Sequence, residues 1–168
     1  MEIEKDLEQL SLKIMRNLQF QGKHNILQGY RNKSPVADFI DCLLENAYKL
    51  QASDIHLEPQ EKYLQIRYRI DGKLILIYKV SNKISNFLIS YLKLISNLDI
   101  AEKRLPQDGK FIFSAQNIDI RISTIPVLFG EKVVLRLLGN KENLLNLNQM
   151  GFSKMNLKYF KDMISASS

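Results

Sequence analysis

The sequence is poor in several residues and patterns that mark common protein classes. It has one cysteine, Cys42, and no tryptophan among its 168 residues. A lone cysteine excludes an intrachain disulfide and a CxxC metal site within this sequence. No secretory signal peptide is recognisable, because residues 1–20 are charged and amphipathic rather than apolar. The longest apolar stretch, residues 84–98, is interrupted by polar side chains and cannot supply the roughly 20 apolar residues that span a bilayer.

Motifs of common catalytic sites are also missing. The chain has no phosphate-binding loop of the form GxxxxGK followed by serine or threonine, and no GxSxG, HExxH or GxGxxG. Its 24 lysines and arginines exceed its 18 aspartates and glutamates, which gives a formal net charge of +6. That modest excess favours a solvated, lysine-rich surface over a dedicated binding surface for an acidic partner. The sequence itself therefore contains no recognisable catalytic centre.

Hydrophobic periodicity, by contrast, is strong and predicts an α+β fold. Apolar residues spaced three or four apart predict helices over residues 3–21, 34–50, 84–98 and 153–164. Alternating apolar and polar residues predict strands over residues 53–58, 63–70, 73–80, 110–115, 117–124 and 132–138. The expected architecture is a largely antiparallel sheet packed on one face by two helices. An amphipathic N-terminal helix and a polar linker over residues 21–33 precede it.

Local signals set several boundaries. Ser34 and Pro35 are suited to the N-cap and the first position of a helix. Asp71 and Gly72 predict a tight hairpin turn, since both positions of such a turn require positive φ. Gly22 is expected to end the N-terminal helix. Residues 106–109, with the sequence PQDG, are predicted to form a turn from their composition.

Three polar residues of one predicted strand superficially resemble a metal site. Asp54, His56 and Glu58 occupy alternate positions and therefore share one face of the strand. On a flat strand they spread over roughly 13 Å, which is too wide for one metal ion without further ligands. We therefore expect a polar strand face rather than a metal site.

Arg121 and Arg136 are the candidate functional residues. They lie in two strands that form a hairpin, with a loop expected over residues 125–131. If paired residues have index numbers that sum to about 257, the two arginines lie directly opposite each other on one face. Like charges in that arrangement destabilise a strand pair unless an anion offsets them, and arginine suits phosphate because its planar fork donates two parallel hydrogen bonds. In the alternative, both side chains extend into solvent or pair with Asp119 and Glu131.

Four blocks of sequence, in order and at consistent spacing, resemble one family. They are ASDIHLEP at residues 52–59, RYRIDG at 67–72, LDIAEKRLPQDG at 98–109, and RISTIP at 121–126 continuing through residue 138. Together they resemble the second N-terminal domain of the ATPases that drive type II secretion, type IV pilus assembly and competence. The resemblance covers about residues 34–165.

The resemblance implies a PAS-like domain connected to a RecA-like ATPase core in a homohexameric ring. ATP and Mg²⁺ would bind between this domain and the core. In the family pattern, the arginines of the RxST and VxxRLL blocks reach the nucleotide phosphates, and here those are Arg121 and Arg136. The implied protein is cytoplasmic and peripheral to the bacterial inner membrane. Platform proteins of a secretion or pilus machine are its implied partners.

The sequence also departs from the family pattern. Lys110 and Lys132 stand where the family often has arginine, and lysine keeps the charge but loses the fork, so neither is placed in the primary site. The sequence ends at Ser168, before any phosphate-binding loop. We therefore expect this chain alone to be inactive and to bind no nucleotide tightly.

The expected divisions of the chain are an N-terminal helix and linker over residues 1–33, the PAS-like domain over 34–152, and a linker helix over 153–168.

Two other functions are compatible with the residues. In the first, the chain is a non-catalytic interaction module whose N-terminal helix, with Leu7, Leu10 and Ile14, docks onto a membrane-platform protein. In the second, the chain binds nucleic acid through basic strand faces. The second is disfavoured because the aromatic residues fall mostly at core positions and form no stacking platform.

Overall fold

We describe a computed structural model of the chain that covers residues 2–28, 34–138 and 151–166, with side chains for 3–17, 34–138 and 151–165. The elements in chain order are α1 (Glu2–Gln28), α2 (Pro35–Lys49), β1 (Asp54–Pro59), β2 (Tyr63–Ile70), β3 (Lys73–Ser81), α3 (Asn82–Ile95), β4 (Gln107–Phe113), β5 (Ile118–Val127), β6 (Gly130–Leu138) and α4 (Lys154–Ala166). The chain divides into two compact units, Met1–Leu138 and Gly139–Ser168.

The first unit is built on a six-stranded sheet with the order β3-β2-β1-β6-β5-β4. Every neighbouring pair is antiparallel. The central contact joins β1 to β6, two strands far apart in sequence. The predicted α+β class with an antiparallel sheet is confirmed, and the β1–β6 pairing brings the start of the domain against its last strand.

One face of the sheet is apolar and carries the helices. Alternate residues of the four central strands are almost fully buried on this face: Ile55, Leu57, Leu64, Ile66, Tyr68, Ile120, Ile122, Val133 and Leu135. The α2 and α3 side chains Phe39, Leu43 and Leu88 join the same core. The Tyr68 hydroxyl donates to the Leu43 carbonyl at 2.7 Å, which satisfies its only polar group.

Helix α1 packs its apolar stripe within the same unit. Ile3, Leu7 and Ile14 are buried, and α2 is the element that α1 contacts most. The prediction that Gly22 ends this helix is wrong, since α1 continues to Gln28. A glycine inside a helix costs only about 1 kcal/mol relative to alanine, so it does not by itself end a helix. Of the predicted linker, residues 29–33 lie outside the described part of the chain.

Two of the predicted turn and cap signals are confirmed. Ser34 caps α2, with its hydroxyl accepting from the Ala37 amide at 3.2 Å, and Pro35 is the first residue of the helix. Asp71 and Gly72 both have positive φ, 48° and 76°, as a two-residue hairpin turn requires.

The predicted turn at residues 106–109 is wrong, because β4 already begins at Gln107. A Cβ at Gly109 would lie 2.9 Å from the Ser96 carbonyl oxygen, so glycine allows the strand to pass close to the end of α3. The Gln107 side chain donates to the carbonyls of Asp99 and Glu102 and accepts from the Asp99 amide. The composition of residues 106–109 predicts a turn, but a strand forms from Gln107 onward, and the Gln107 side chain holds it to the preceding loop.

A charged pair is enclosed on the covered face of the sheet. Lys93 of α3 and Glu131 of β6 form an ion pair at 2.7 Å, and their side chains are 1% and 5% exposed. Lys93 also donates to the Glu102 carbonyl. The pair thus connects α3 to β6 and to the loop that precedes β4.

The second unit is described from residue 151 to residue 166. Gly151 has φ 77°, and Ser153, immediately before α4, accepts at its hydroxyl from the Asn156 amide at 3.2 Å. Within this unit the Phe152 and Phe160 rings stack with centroids 5.5 Å apart. The predicted C-terminal helix over 153–164 is confirmed to within two residues at its end.

Candidate functional site

The second face of the sheet carries mostly charged and polar side chains. One row of paired positions runs across all six strands on this face: Lys110 of β4, Arg121 of β5, Arg136 of β6, Asp54 of β1, Arg69 of β2 and Leu74 of β3. Neighbouring strands are about 4.8 Å apart, so three consecutive cations occupy the β4–β5–β6 side of this row. We call these three residues, Lys110, Arg121 and Arg136, the cationic row.

The predicted register of the β5–β6 hairpin is confirmed. Arg121 pairs directly with Arg136, and both side chains are exposed. The hairpin is tighter than predicted, because the strands continue to Val127 and Gly130 and only two residues connect them. Two arginines therefore occupy directly opposed positions of neighbouring strands on one face, an arrangement of like charge that an anion would stabilise.

A shallow depression of about 270 Å³ lies at these arginines. It is lined by Asp108, Arg121, Ile122, Ser123, Val134 and Arg136. Ser123 supplies a hydroxyl that can donate to an anion, whereas Asp108 adds one negative charge at the margin. The depression is thus lined by planar guanidinium donors and a hydroxyl. Its volume is sufficient for a phosphate-sized group.

Arg136 is held by a carboxylate on the neighbouring strand. Its Nε donates to Asp54 Oδ1 at 2.9 Å, while its side chain remains 65% exposed. Asp54 is 5% exposed and also pairs through Oδ2 with Arg69 Nε at 3.2 Å. Burial acts to raise the pKa of Asp54, but hydrogen bonds from Arg136 and Ser53 outweigh it, so the pKa lies below its ordinary value. Asp54 is therefore charged at neutral pH and fixes the Arg136 side chain.

Of the two branches of the alternative, the pairing with Asp119 and Glu131 is not seen among the described residues. Asp119 forms no ion pair with either arginine there, and Glu131 points to the covered face, where it pairs with Lys93. The other branch, in which the side chains extend into solvent, agrees with the exposure of Arg121 and Arg136. Strand alternation explains the orientation of Glu131, since Glu131 and Arg136 are five residues apart and so face opposite sides of the sheet.

A second ionic cluster on this face is centred on Glu58, four residues after Asp54 in β1. Glu58 pairs with Arg67 of β2 and, at 2.9 Å, with Lys132 of β6. Burial acts to raise the pKa of Glu58, but the hydrogen bonds and charges of Arg67 and Lys132 outweigh it and the pKa is lowered. Lys132 is thus engaged with a carboxylate, consistent with leaving it out of the primary site.

His56 lies between the two ionic clusters. Its side chain is 9% exposed, and its Nδ1 is 3.9 Å from Glu58 Oε1, too far for a hydrogen bond. Neither ring nitrogen has a hydrogen-bond partner among the residues that the structure describes. Burial, followed by the charge of Lys132, lowers the pKa of His56. The imidazole is therefore neutral at pH 7.

The sequence patterns do not place two residues of this face in the site. Lys110 stands where the family pattern has arginine and is left out of the predicted site, yet it pairs with Arg121 and extends the cationic row. The alternation of Asp54, His56 and Glu58 indicates only a polar strand face, whereas Asp54 contacts Arg136. The contact depends on the β1–β6 pairing, which joins strands about 80 residues apart and leaves no local signal in the sequence.

The described residues offer no metal-binding cluster and no membrane-spanning helix. Over that part of the chain, no group of three or more histidine, cysteine, aspartate or glutamate side chains is placed to hold a metal ion. None of the described helices has the length and apolar character needed to cross a membrane.

Comparison with known proteins identifies similar sequences. A family model described as type II/IV secretion system protein matches residues 30–168. The chain is 43% identical over 133 residues to the putative type II secretion system protein E of Escherichia coli (strain K12), covering 78% of this chain and 27% of that protein. It is 41% identical over 134 residues to the type IV pilus assembly ATPase PilB of Myxococcus xanthus (strain DK1622), covering 78% and 24%.

The chain spans about a quarter of the length of these curated relatives. Among solved structures, it matches the Legionella pneumophila ATPase DotB with a TM-score of 0.46 at 22% identity, covering 72% of this chain and 33% of that one. That likeness is weak, so the fold described above is established by this chain's own strand pairing.

Proposed function

The chain belongs to the type II/IV secretion system protein family, and we propose that it is the N-terminal domain of a hexameric secretion or pilus ATPase. In this proposal Arg121 and Arg136 contact the phosphates of ATP held by a P-loop core outside the sequence described here. Hydrolysis would then move the two domains against each other in protein secretion, pilus assembly or DNA uptake.

The observation that carries the proposal is the pairing of Arg121 with Arg136 over an open depression. Most charges on this face are matched, since Asp54 and Glu58 each contact two cations. Arg121 and Lys110 show no ion pair among the described residues, so the cationic row has an excess of positive charge. An anion supplied from outside the domain would balance that excess.

The chemistry available to this row fits phosphoryl transfer. Guanidinium groups donate in parallel to phosphate oxygens, and a fixed cation that meets charge developing on the transferred phosphoryl group lowers the barrier. Exposure of Arg136 leaves it accessible to a partner domain. ATP, with its Mg²⁺, is accordingly the ligand class proposed, and the residues that bind the metal are assigned to the core.

The remaining parts of the proposal follow from the family. They comprise the RecA-like core of the same or a neighbouring subunit as a partner, a homohexamer, and a place on the cytoplasmic side of the bacterial inner membrane beside platform proteins. Nucleic acid is not proposed as a partner of this domain. The alternative of a docking module has less support, because Ile3, Leu7 and Ile14 of α1 are already buried within the first unit.

The test is steady-state ATP hydrolysis by a full-length protein that carries this domain together with its P-loop core. We expect Arg121→Ala and Arg136→Ala each to lower kcat about 100-fold, the range seen when a fixed donor to developing charge is removed. Lys62→Ala, which removes one exposed cation at the β1–β2 turn, is the matched control and should leave kcat within about twofold. Normal turnover in both arginine variants would rule out the proposed role.

A further inference from the structure

Asp54 makes the contact that sets the geometry of the proposed site. It accepts from Arg136 at Nε, the nitrogen nearest the aliphatic stem, at 2.9 Å. Among the described residues, no hydrogen-bond partner is seen for either terminal nitrogen of Arg136. The carboxylate thus restrains the side chain and leaves the two-pronged end of the guanidinium available to an anion.

Asp54 is itself tightly held. The Ser53 hydroxyl donates to its Oδ2 at 2.8 Å, and Arg69 Nε lies 3.2 Å from the same oxygen. The backbone is fixed too, since the Leu137 amide donates to the Ser53 carbonyl and the Ser53 amide donates to the Arg69 carbonyl. A carboxylate that is 5% exposed and accepts at both oxygens is a rigid support for a side chain that is itself 65% exposed.

The opposite arginine lacks such a support. Arg121 faces Lys110 and Arg136 across the two neighbouring strands, and no carboxylate contacts it among the described residues. The two arginines of the pair therefore differ: one is fixed in advance and the other is free to adjust.

We propose that Asp54 is a positioning residue that preorients Arg136 for the nucleotide phosphates, while Arg121 is oriented by the nucleotide itself. This inference rests on the proposed function and assigns a residue that acts only through Arg136. A long exposed arginine loses side-chain entropy when it binds, so a fixed support lowers the cost of reaching the reactive geometry. The negative charge of Asp54 works in the other direction, since it weakens attraction of any anion. If positioning dominates, removal of the carboxylate lowers kcat. If the charge dominates, its removal raises the affinity for ATP without loss of kcat.

The experiment compares Asp54→Ala with Asp54→Asn in the full-length protein. Asparagine keeps an oxygen that accepts from Arg136 Nε but removes the charge, whereas alanine removes both. If Asp54 positions Arg136, we expect Asp54→Ala to lower kcat about tenfold with less than a threefold change in KM for ATP. Asp54→Asn should stay within about threefold of the unmodified protein. Lys62→Ala, the exposed control at the β1–β2 turn, should again stay within about twofold.

A double-mutant cycle separates positioning from general damage. In the Arg136→Ala background, Asp54→Ala should have no further effect on kcat, because its role passes through the missing side chain. In the chain of 168 residues, ¹⁵N NMR should show the Nε–H of Arg136 exchanging about tenfold faster in Asp54→Ala than in Asp54→Asn. If the alanine variant does not fold, Asp54→Leu, which is closer in size to aspartate and has no acceptor, replaces it in both measurements.

The outcomes distinguish this inference from the function on which it rests. Full activity of Asp54→Ala, together with a strong loss in Arg136→Ala, would overturn the positioning role and leave the proposed function standing. Higher ATP affinity in both Asp54 variants without loss of kcat would also overturn it, because the carboxylate would then act only by its charge. Full activity of Arg136→Ala would overturn the inference, and only full activity of both Arg136→Ala and Arg121→Ala would overturn the proposed function as well.

Discussion

The two faces of one sheet use charge in opposite ways. On the helix-covered face, Lys93 and Glu131 are 1% and 5% exposed and pair with each other. On the open face, the carboxylate of the Arg136–Asp54 pair is as deeply buried at 5%, but the arginine is 65% exposed. Burial of both partners makes the first pair a connection between elements. In the second pair only the acid is buried, so the arginine is held at its Nε while the rest of its guanidinium stays exposed.

Strand alternation accounts for the division between the faces. Residues 131, 133 and 135 of β6 are buried, whereas Arg136 is exposed and Lys132 and Val134 are partly exposed. Each successive residue therefore contributes either to the core or to the open face. A substitution on one face can consequently leave the other face intact. The roles of the covered pair and of the open-face pair can therefore be tested separately.

The largest effect is expected from breaking the covered pair. Lys93→Met keeps much of the side-chain volume but leaves Glu131 charged and unpaired in the interior, which typically costs about 3–5 kcal/mol of unfolding free energy. Urea unfolding followed by circular dichroism measures the loss. The double variant Lys93→Met with Glu131→Leu should recover most of it, because a buried pair can be replaced by apolar residues at little net cost. A single variant as stable as the unmodified chain would contradict the connecting role.

An intermediate effect is expected from pH, through His56 on the open face. Its pKa is lowered by burial and then by Lys132, so folding favours the neutral ring. The stability from this preference is complete above the unfolded pKa of about 6.5 and is lost as pH falls through the folded pKa. Unfolding free energy should therefore decrease from pH 7 to pH 5, and His56→Asn should flatten the decrease.

The two carboxylates beside His56 stay ionised in that window. Asp54 and Glu58 on its own strand have lowered pKa values, and the groups facing it from β2 and β6 are Arg67, Arg69 and Lys132. The same substitution at His24, the other histidine of the chain, is the control. If the decrease in unfolding free energy from pH 7 to pH 5 persists in His56→Asn and disappears in His24→Asn, His56 is not the group responsible.

The sequence was a good guide to local structure and to the register of neighbouring strands. Asp71 and Gly72 predicted their turn because both signals are local, and the index sum of about 257 placed Arg121 opposite Arg136. Contacts across distant segments were not predictable in the same way. The pairing of Asp54 with Arg136 and the burial of Lys93 against Glu131 both depend on how β6 meets β1 and α3.

The smallest change in stability is expected at Arg121, although the change in function proposed there is large. Arg121→Ala removes an exposed side chain with no ion pair among the described residues, and it relieves the like charge facing Arg136. We expect the unfolding free energy to change by no more than about 0.5 kcal/mol, with an increase favoured at low ionic strength, where surface charges are least screened. Urea unfolding at low and at high salt checks this, with Lys62→Ala as the matched loss of one charge. A destabilisation of several kcal/mol would mean that Arg121 supports the fold as Lys93 does, and the contrast between the two faces would then fail at the residue on which the proposed function most depends.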